Sequence, residues 1–326
     1  MNHEKINFYT VRDFTELFNA VNKFLKQNFR HFFKTLLFIA GPFILISSIV
    51  KAFYVSRILS SASGAALNAA SGQGMEFFEK YRQLMTQLGG GYFLFVLFSI
   101  CANLILLTTV YSYMVVYQKQ GPGNFSIAEV TQLVIKNMGK TIKGFLVLIM
   151  ILLVGFIIFS IVVSMMIQLL GGGVILLLLF VILGFILIIP PLMWQFSTFF
   201  LVQIIEKSGV SESLRRIRLL MKGDFFYTWL VVFVSFLILI ILSFIFLLPQ
   251  YIYQMVITMG NLKGENNSLF PFTILSAVTT FLTSFIYSIF HIICGFHYCS
   301  LVEKKDGTTL MNRIEEIGNI PSADVE

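Results

Sequence analysis

From Gly144 to Ile205 the chain carries no Asp, Glu, Lys or Arg, a run of 62 uncharged residues that are mostly Leu, Ile, Val, Phe and Met. As one helix, at about 1.5 Å rise per residue, it would extend about 90 Å. A bilayer core is about 30 Å thick, so the run must cross a membrane twice. Gly171, Gly172 and Gly173 supply the break. In hydrocarbon every backbone N–H and C=O must be paired within the protein, which leaves only helices or closed barrels. The all-round apolar character of the run selects helices. The expected fold class is all-α, a polytopic helical membrane bundle.

Composition extends this reading to the whole chain. Of the 326 residues, 57% are hydrophobic and 12% charged, against about 25% charged in soluble domains. The polar stretches are too short for a soluble domain of about 50 residues or more, so residues 1–326 are expected to form a single integral membrane domain. No signal peptide is expected, because Met1 to Arg30 is amphipathic and charged. Cys101, Cys294 and Cys299 fall in apolar runs and read as small buried hydrophobes, not a disulfide framework.

Six spans are expected at about 33–54, 91–117, 145–169, 174–204, 226–248 and 272–302. Pro190 and Pro191 should bend the fourth before Trp194, Pro249 should end the fifth, and Pro271 should open the sixth. Outside the spans, eighteen Lys and Arg fall on the side that holds both termini and five on the other. The positive-inside rule then places both termini, and a tail at 303–326, in the cytoplasm of a bacterial inner membrane. The net charge of +7 is thus mostly a topology signal, and no nucleic-acid partner is implied.

Each cytoplasmic segment repeats one layout: an amphipathic stretch, a basic turn, then two spans. Interfacial helices are expected at about 8–30, 126–140 and 211–222. The first carries Phe14, Leu17, Phe18, Val21, Phe24, Leu25 and Phe29 at helical spacing. The second opens on Ser126 and Glu129, the spacing of a capping box. In the third, Ser211 is the expected N-cap, Leu214, Ile217, Leu220 and Met221 form the apolar face, and Arg215, Arg216, Arg218 and Lys222 are candidate lipid-headgroup contacts. Three units of amphipathic helix plus hairpin result. On the opposite side, Met75 to Leu88 reads as a surface helix with Phe77, Phe78, Tyr81, Leu84 and Leu88 along one face. In the tail, Leu310, Ile314 and Ile317 would dock a short helix.

The stretch Ile205-Glu206-Lys207-Ser208-Gly209-Val210-Ser211-Glu212-Ser213-Leu214-Arg215-Arg216-Ile217-Arg218-Leu219-Leu220-Met221-Lys222-Gly223-Asp224-Phe225-Phe226 resembles the membrane domain attached to some bacterial glycerophosphoryl diester phosphodiesterases, and its uncharacterised stand-alone six-span relatives. The shared pattern is an acidic span end, a Gly-x-Ser turn, a basic helix, then Lys-Gly-x-Phe-Phe. The resemblance implies the six-span layout. It brings no catalytic residue, because the phosphodiester chemistry of such enzymes belongs to a separate soluble barrel.

Chemistry-bearing residues are sparse. No Asp, Glu or Arg lies mid-span, which argues against a proton-coupled pump. Hydroxyls and amides in the spans, among them Asn103, Thr108, Ser112, Gln195, Ser197, Thr198, Gln203 and Thr279, read first as interhelical hydrogen-bonding groups. His291, Cys294, His297 and Cys299 point around one helix instead of converging, so no metal or cofactor is expected. No Walker loop, zinc-protease motif or Ser/His/Asp arrangement emerges. The kink at Pro190 and Pro191, with Trp194 and Gln195 beside it, is the candidate cavity, since broken helices line substrate sites in transporters. The leading expectation is a non-enzymatic scaffold or accessory subunit in membrane upkeep, partnered by the lipid bilayer and other membrane proteins. The alternatives are the permease of an ATP-driven exporter, partnered by an ATPase subunit, and a lipid-handling protein.

Overall fold

The computed structural model describes residues 4–70, 74–170, 174–262 and 268–307. Within these, side chains are described outside 60–81, 83–88, 167, 169–170, 174–183 and 261–262. The glycine turn at 171–173, the side chains of Phe77, Phe78, Tyr81, Leu84 and Leu88, and the tail residues Leu310, Ile314 and Ile317 lie outside that set.

The described residues form eight helices: α1 (Phe14–Ile39), α2 (Gly41–Ala70), α3 (Gly74–Gln120), α4 (Ile127–Leu170), α5 (Val174–Ile205), α6 (Val210–Met221), α7 (Phe225–Leu262) and α8 (Phe270–Asp306). Six of them, α2 to α5, α7 and α8, are long and apolar enough to cross a membrane. The all-α membrane bundle expected from the sequence is the observed fold class.

The elements begin where capping chemistry places them. Asp13 and Glu16 form a reciprocal box at the start of α1, Glu16 N donating to Asp13 Oδ1 at 2.7 Å and Asp13 N to Glu16 Oε2 at 3.2 Å. Ser126 and Glu129 do the same for α4. At α6 the cap is Gly209, not Ser211, because Glu212 reaches back to Gly209 N at 3.0 Å and leaves Ser211 inside the helix. Its face is as expected, with Ile217 and Leu220 buried.

Several expected boundaries differ. Interfacial helix and span merge in α4, which runs unbroken through Lys140 and Gly144. In α3 the surface helix and span likewise merge across Gly89, Gly90 and Gly91, although glycine costs about 1 kcal/mol each in a helix interior. The chain bends at Ala40 instead of near Phe33, because the apolar register of α1 continues through Phe32 and Leu36 and Pro42 opens the next helix. Pro249 does not end α7, which continues to Leu262.

Two compact units are distinguished. One comprises Met1–Phe33, Thr108–Phe236 and Phe290–Glu326, the other Lys34–Leu107 and Leu237–Ile289. The first has an aromatic core in which Phe24, Tyr111, Tyr113, Tyr117, Trp194, Phe199, Phe200 and Phe296 are fully buried. Small residues bring its helices together. A Cβ on Gly144 would meet Phe199 Cε1 and Gln203 Oε1 at 2.8 Å each, and one on Gly295 would meet Met114 Cε at 2.6 Å. Such small-residue contacts carry helix association in lipid, where apolar burial alone drives little. The second unit is joined by hydroxyl pairs, Ser47 with Ser99 at 3.1 Å and Ser56 with Thr273 at 2.6 Å. Its outer surface is apolar, with Phe43, Leu45, Ile240, Ile241 and Phe244 exposed.

Candidate functional site

The site lies within the first unit, where the last turns of α3 and α5 meet the early turns of α4. Residues before α1 form a strap that closes one wall. Ile6 N donates to the Tyr117 hydroxyl at 3.1 Å, Gln27 Nε2 donates to Glu4 O at 2.9 Å, and Arg12 N donates to Ser300 Oγ at 3.0 Å. Phe8 stacks parallel to Tyr117 with centroids 5.4 Å apart and packs on Phe296 at 4.6 Å. The non-helical backbone of the strap is thus tied by side chains that belong to helices.

Behind the strap is a cavity of about 430 Å³, within the usual range of about 300–1,000 Å³ for ligand pockets. Phe8, Met114, Val115, Leu201, Ile204 and Ile205 give it an apolar wall, and Tyr9, Gln118 and Asn137 add neutral polar groups. Four lysines line it: Lys119, Lys136, Lys140 and Lys207. Among the described residues no carboxylate lines it, and none of the four lysines forms an ion pair.

Local structure explains each placement. Lys136 and Lys140 are one helical turn apart on α4 and share a face with Leu133 and Asn137. Lys119 lies in the last turn of α3, where the negative end of the helix dipole favours a cation. Lys207 follows α5 with φ +54°, a left-handed conformation that a non-glycine residue adopts at a cost. The Oε1 of Gln118 is buried and has no hydrogen-bond partner within the protein.

The acids nearby are occupied. Glu206 accepts from the Tyr298 hydroxyl at 2.6 Å and from Arg216 Nε at 3.0 Å. Arg216 also pairs with Asp306, and the Asp306 and Glu206 bonds together raise the guanidinium above its ordinary value. Burial, aided by Cys299 and Glu206, raises the Tyr9 phenol, which therefore stays neutral. An adjoining hollow of about 270 Å³ shares Lys119 and Lys136 and includes Glu129, whose carboxylate caps α4 and accepts from Gln120.

The residues singled out in the sequence fall elsewhere. Pro190, Pro191 and Trp194 are buried in packed surroundings, Trp194 edge-on to His297 with centroids 5.5 Å apart. Gln195 reaches Met221 Sδ at 3.7 Å. The freed carbonyl of the proline kink, Ile186 O, accepts from Trp229 Nε1 at 3.1 Å. Arg215, Arg218 and Lys222 are exposed along α6 and its end, whereas Arg216 is committed to acids of its own chain.

Two contacts escaped sequence spacing. Ser197 Oγ meets the Tyr111 hydroxyl and also His291 Nδ1, the latter at 2.8 Å. A serine beside a histidine is the first half of a nucleophile–base pair. Here the serine is 1% exposed and shared with Tyr111, and no carboxylate among the described residues bonds His291, so the contact works as an interhelical tie. His297 Nε2 bonds Thr228 Oγ1 at 3.0 Å in the same manner. Among the described residues, no group of three or more His, Cys, Asp and Glu could hold a metal ion. The cavity lysines had been counted only as topology signals. The Lys136–Lys140 repeat beside Asn137, more than two turns into a capped helix, is the available clue.

Comparison with protein-family models, with curated proteins and with solved structures finds no match to this chain.

Proposed function

We propose that this chain is a non-enzymatic, multi-pass protein of the bacterial inner membrane, with both termini cytoplasmic, that holds the headgroup of an acidic membrane lipid in its lysine-lined cavity. The observation that carries this reading is the lining itself: four lysines and, among the described residues, no carboxylate, together with apolar side chains. Such a surface is complementary to an anionic amphiphile, because the ammonium groups meet the phosphate and the aliphatic side chains meet the first carbons of the tail. The excess of Lys and Arg on the side of both termini supports the orientation, and puts the cavity at the inner leaflet. The resemblance of the Ile205–Phe226 region to the phosphodiesterase-linked membrane domain is compatible with a lipid-handling role in envelope upkeep. The exporter reading has less support, because residues 127–140 are the first turns of α4 and not a separate helix between the second and third spans.

The test is lipid retention. The protein is extracted in mild detergent and its bound lipids are identified by native mass spectrometry. Wild type should retain acidic lipid above its share of the membrane. A variant with Lys119, Lys136, Lys140 and Lys207 changed to Gln should retain lipids in bulk proportion. If wild type also retains bulk proportions, the reading fails. Reporter fusions at each terminus test the orientation, and a periplasmic signal from either end overturns it.

A further inference from the structure

Resting on that reading, we infer that the cavity selects a phospholipid whose phosphate is a terminal monoester, of the phosphatidic-acid type, over lipids whose phosphate is a diester. The argument begins with charge. Lys119, Lys136, Lys140 and Lys207 line one cavity, and among the described residues no acid lines it with them; Glu129 belongs to the adjoining hollow, where its carboxylate is held by Ser126 and Gln120. At physiological salt the Debye length is about 8 Å, so cations around one pocket repel each other only partly screened. A diester phosphate brings a single negative charge. A monoester brings about −1.5 to −2 at pH 7, and cations beside it favour the doubly ionised form.

Donor chemistry points the same way. Each ammonium offers three N–H donors and no acceptor. A monoester phosphate presents three unesterified oxygens, against two on a diester, so more of the four lysines find an acceptor. Lysine is a point charge that follows charge density, not the planar fork that arginine offers. Arg215, Arg218 and Lys222, the exposed cations of α6, do not line the cavity, which confines the selectivity to the four lysines.

The tail also contributes. Met114, Leu201, Ile204 and Ile205 line the same cavity as Gln118 and Asn137. A free phosphate would leave these apolar groups uncovered, whereas a lipid covers them. The occupant is therefore a lipid, not soluble phosphate.

The experiment uses the full chain in detergent with three short-chain probes: dihexanoyl phosphatidic acid, dihexanoyl phosphatidylglycerol and glycerol 3-phosphate, each titrated by thermophoresis at fixed ionic strength. The expected order is phosphatidic acid at least ten-fold tighter than phosphatidylglycerol, with glycerol 3-phosphate at least ten-fold weaker than phosphatidic acid. In a Lys136→Gln/Lys140→Gln variant the preference between the lipids should fall below three-fold. Met114→Trp, which narrows the cavity without changing charge, should weaken both lipids alike. Circular dichroism and gel-filtration elution matching wild type establish that the variants are folded, and single Lys136→Gln and Lys140→Gln variants serve if the double one is not. Equal affinity for the two lipids overturns this inference and leaves the lipid-binding function standing. Glycerol 3-phosphate binding as tightly as phosphatidic acid overturns the assignment to a lipid. No measurable binding of any probe overturns the proposed function itself.

Discussion

Trp229 on α7 donates its indole N–H to the carbonyl of Ile186 on α5 at 3.1 Å. That oxygen is the one Pro190, four residues later, has no N–H to reach. In a bilayer an unpaired carbonyl has no water to turn to, so one helix completes the other. Trp229→Phe should destabilise the protein by about 1–3 kcal/mol, the cost of leaving a carbonyl unsatisfied where lipid replaces water. In a Pro190→Ala background the alanine N–H can bond Ile186 O, and the same change should then cost about 1 kcal/mol less. Unfolding in mixed micelles measures the cycle, and purely additive effects would remove the pairing argument.

Asp224, just before α7, accepts from Lys304 Nζ at 2.6 Å and lies 3.1 Å from Lys305 Nζ. Burial pushes its carboxyl up, but the two lysines outweigh that and hold it below its ordinary value of 3.8. The stabilisation is therefore fully present above pH 3.8 and is lost as pH falls through the lower folded value. Asp224→Asn should cost about 2 kcal/mol at pH 7, as expected for a charge-assisted bond. The gap from wild type should close below about pH 4. Thermal melts across pH 2.5–7 decide it, a constant gap being the adverse result.

Lys207 has two opposed effects in one residue. Its positive φ costs about 1 kcal/mol or more, which glycine avoids. Lys207→Gly should raise the melting temperature while weakening acidic-lipid binding. If stability and affinity moved in the same direction, the lysine would not be held there for its charge.

Gly144 and Gly155 lie on the same helix but in different surroundings. A Cβ at Gly144 would contact Phe199 and Gln203 at 2.8 Å, whereas one at Gly155 meets nothing within 4 Å. Gly144→Ala should cost about 1–3 kcal/mol through overpacking. Gly155→Ala should be neutral or stabilising. Comparable losses at both positions would mean that the close approach of α4 and α5 does not matter.

Gly295 acts on the cavity from behind. Its Cβ would meet the Met114 side chain at 2.6 Å and 2.8 Å, the flexible end of a residue that lines the cavity. Gly295→Ala should push Met114 inward and lower lipid affinity several-fold, with little loss of stability. Unchanged lipid titrations would show that Met114 escapes in another direction.

The sequence revealed helices through the absence of charge and began α4 correctly at Ser126, because both signals are local. It misplaced breaks where lipid or packing overrides propensity. Three glycines at 89–91 and Pro249 stay inside helices. The first interfacial helix, expected from about residue 8, begins at Phe14, because the Asp13–Glu16 box caps it there. The cavity was not readable as such. Lys119, Lys136 and Lys207 come from three elements, and only the packing of α3, α4 and α5 ends brings them together. At Pro190 and Pro191, the candidate cavity of the sequence reading, Trp194 stands edge-on to His297.

From Thr108 to Met114, every residue of α3 is enclosed by protein. The Tyr111 hydroxyl there meets Ser197 of α5, which in turn bonds His291 of α8. In chain order α3 and α5 are complete before α8 is synthesised. Until then Ser197 lacks His291, and Gly295 and Phe296 are missing from the first unit. The last helix to be made therefore closes the core begun by the first, and the first unit reaches its final packing only when the chain has passed Phe296.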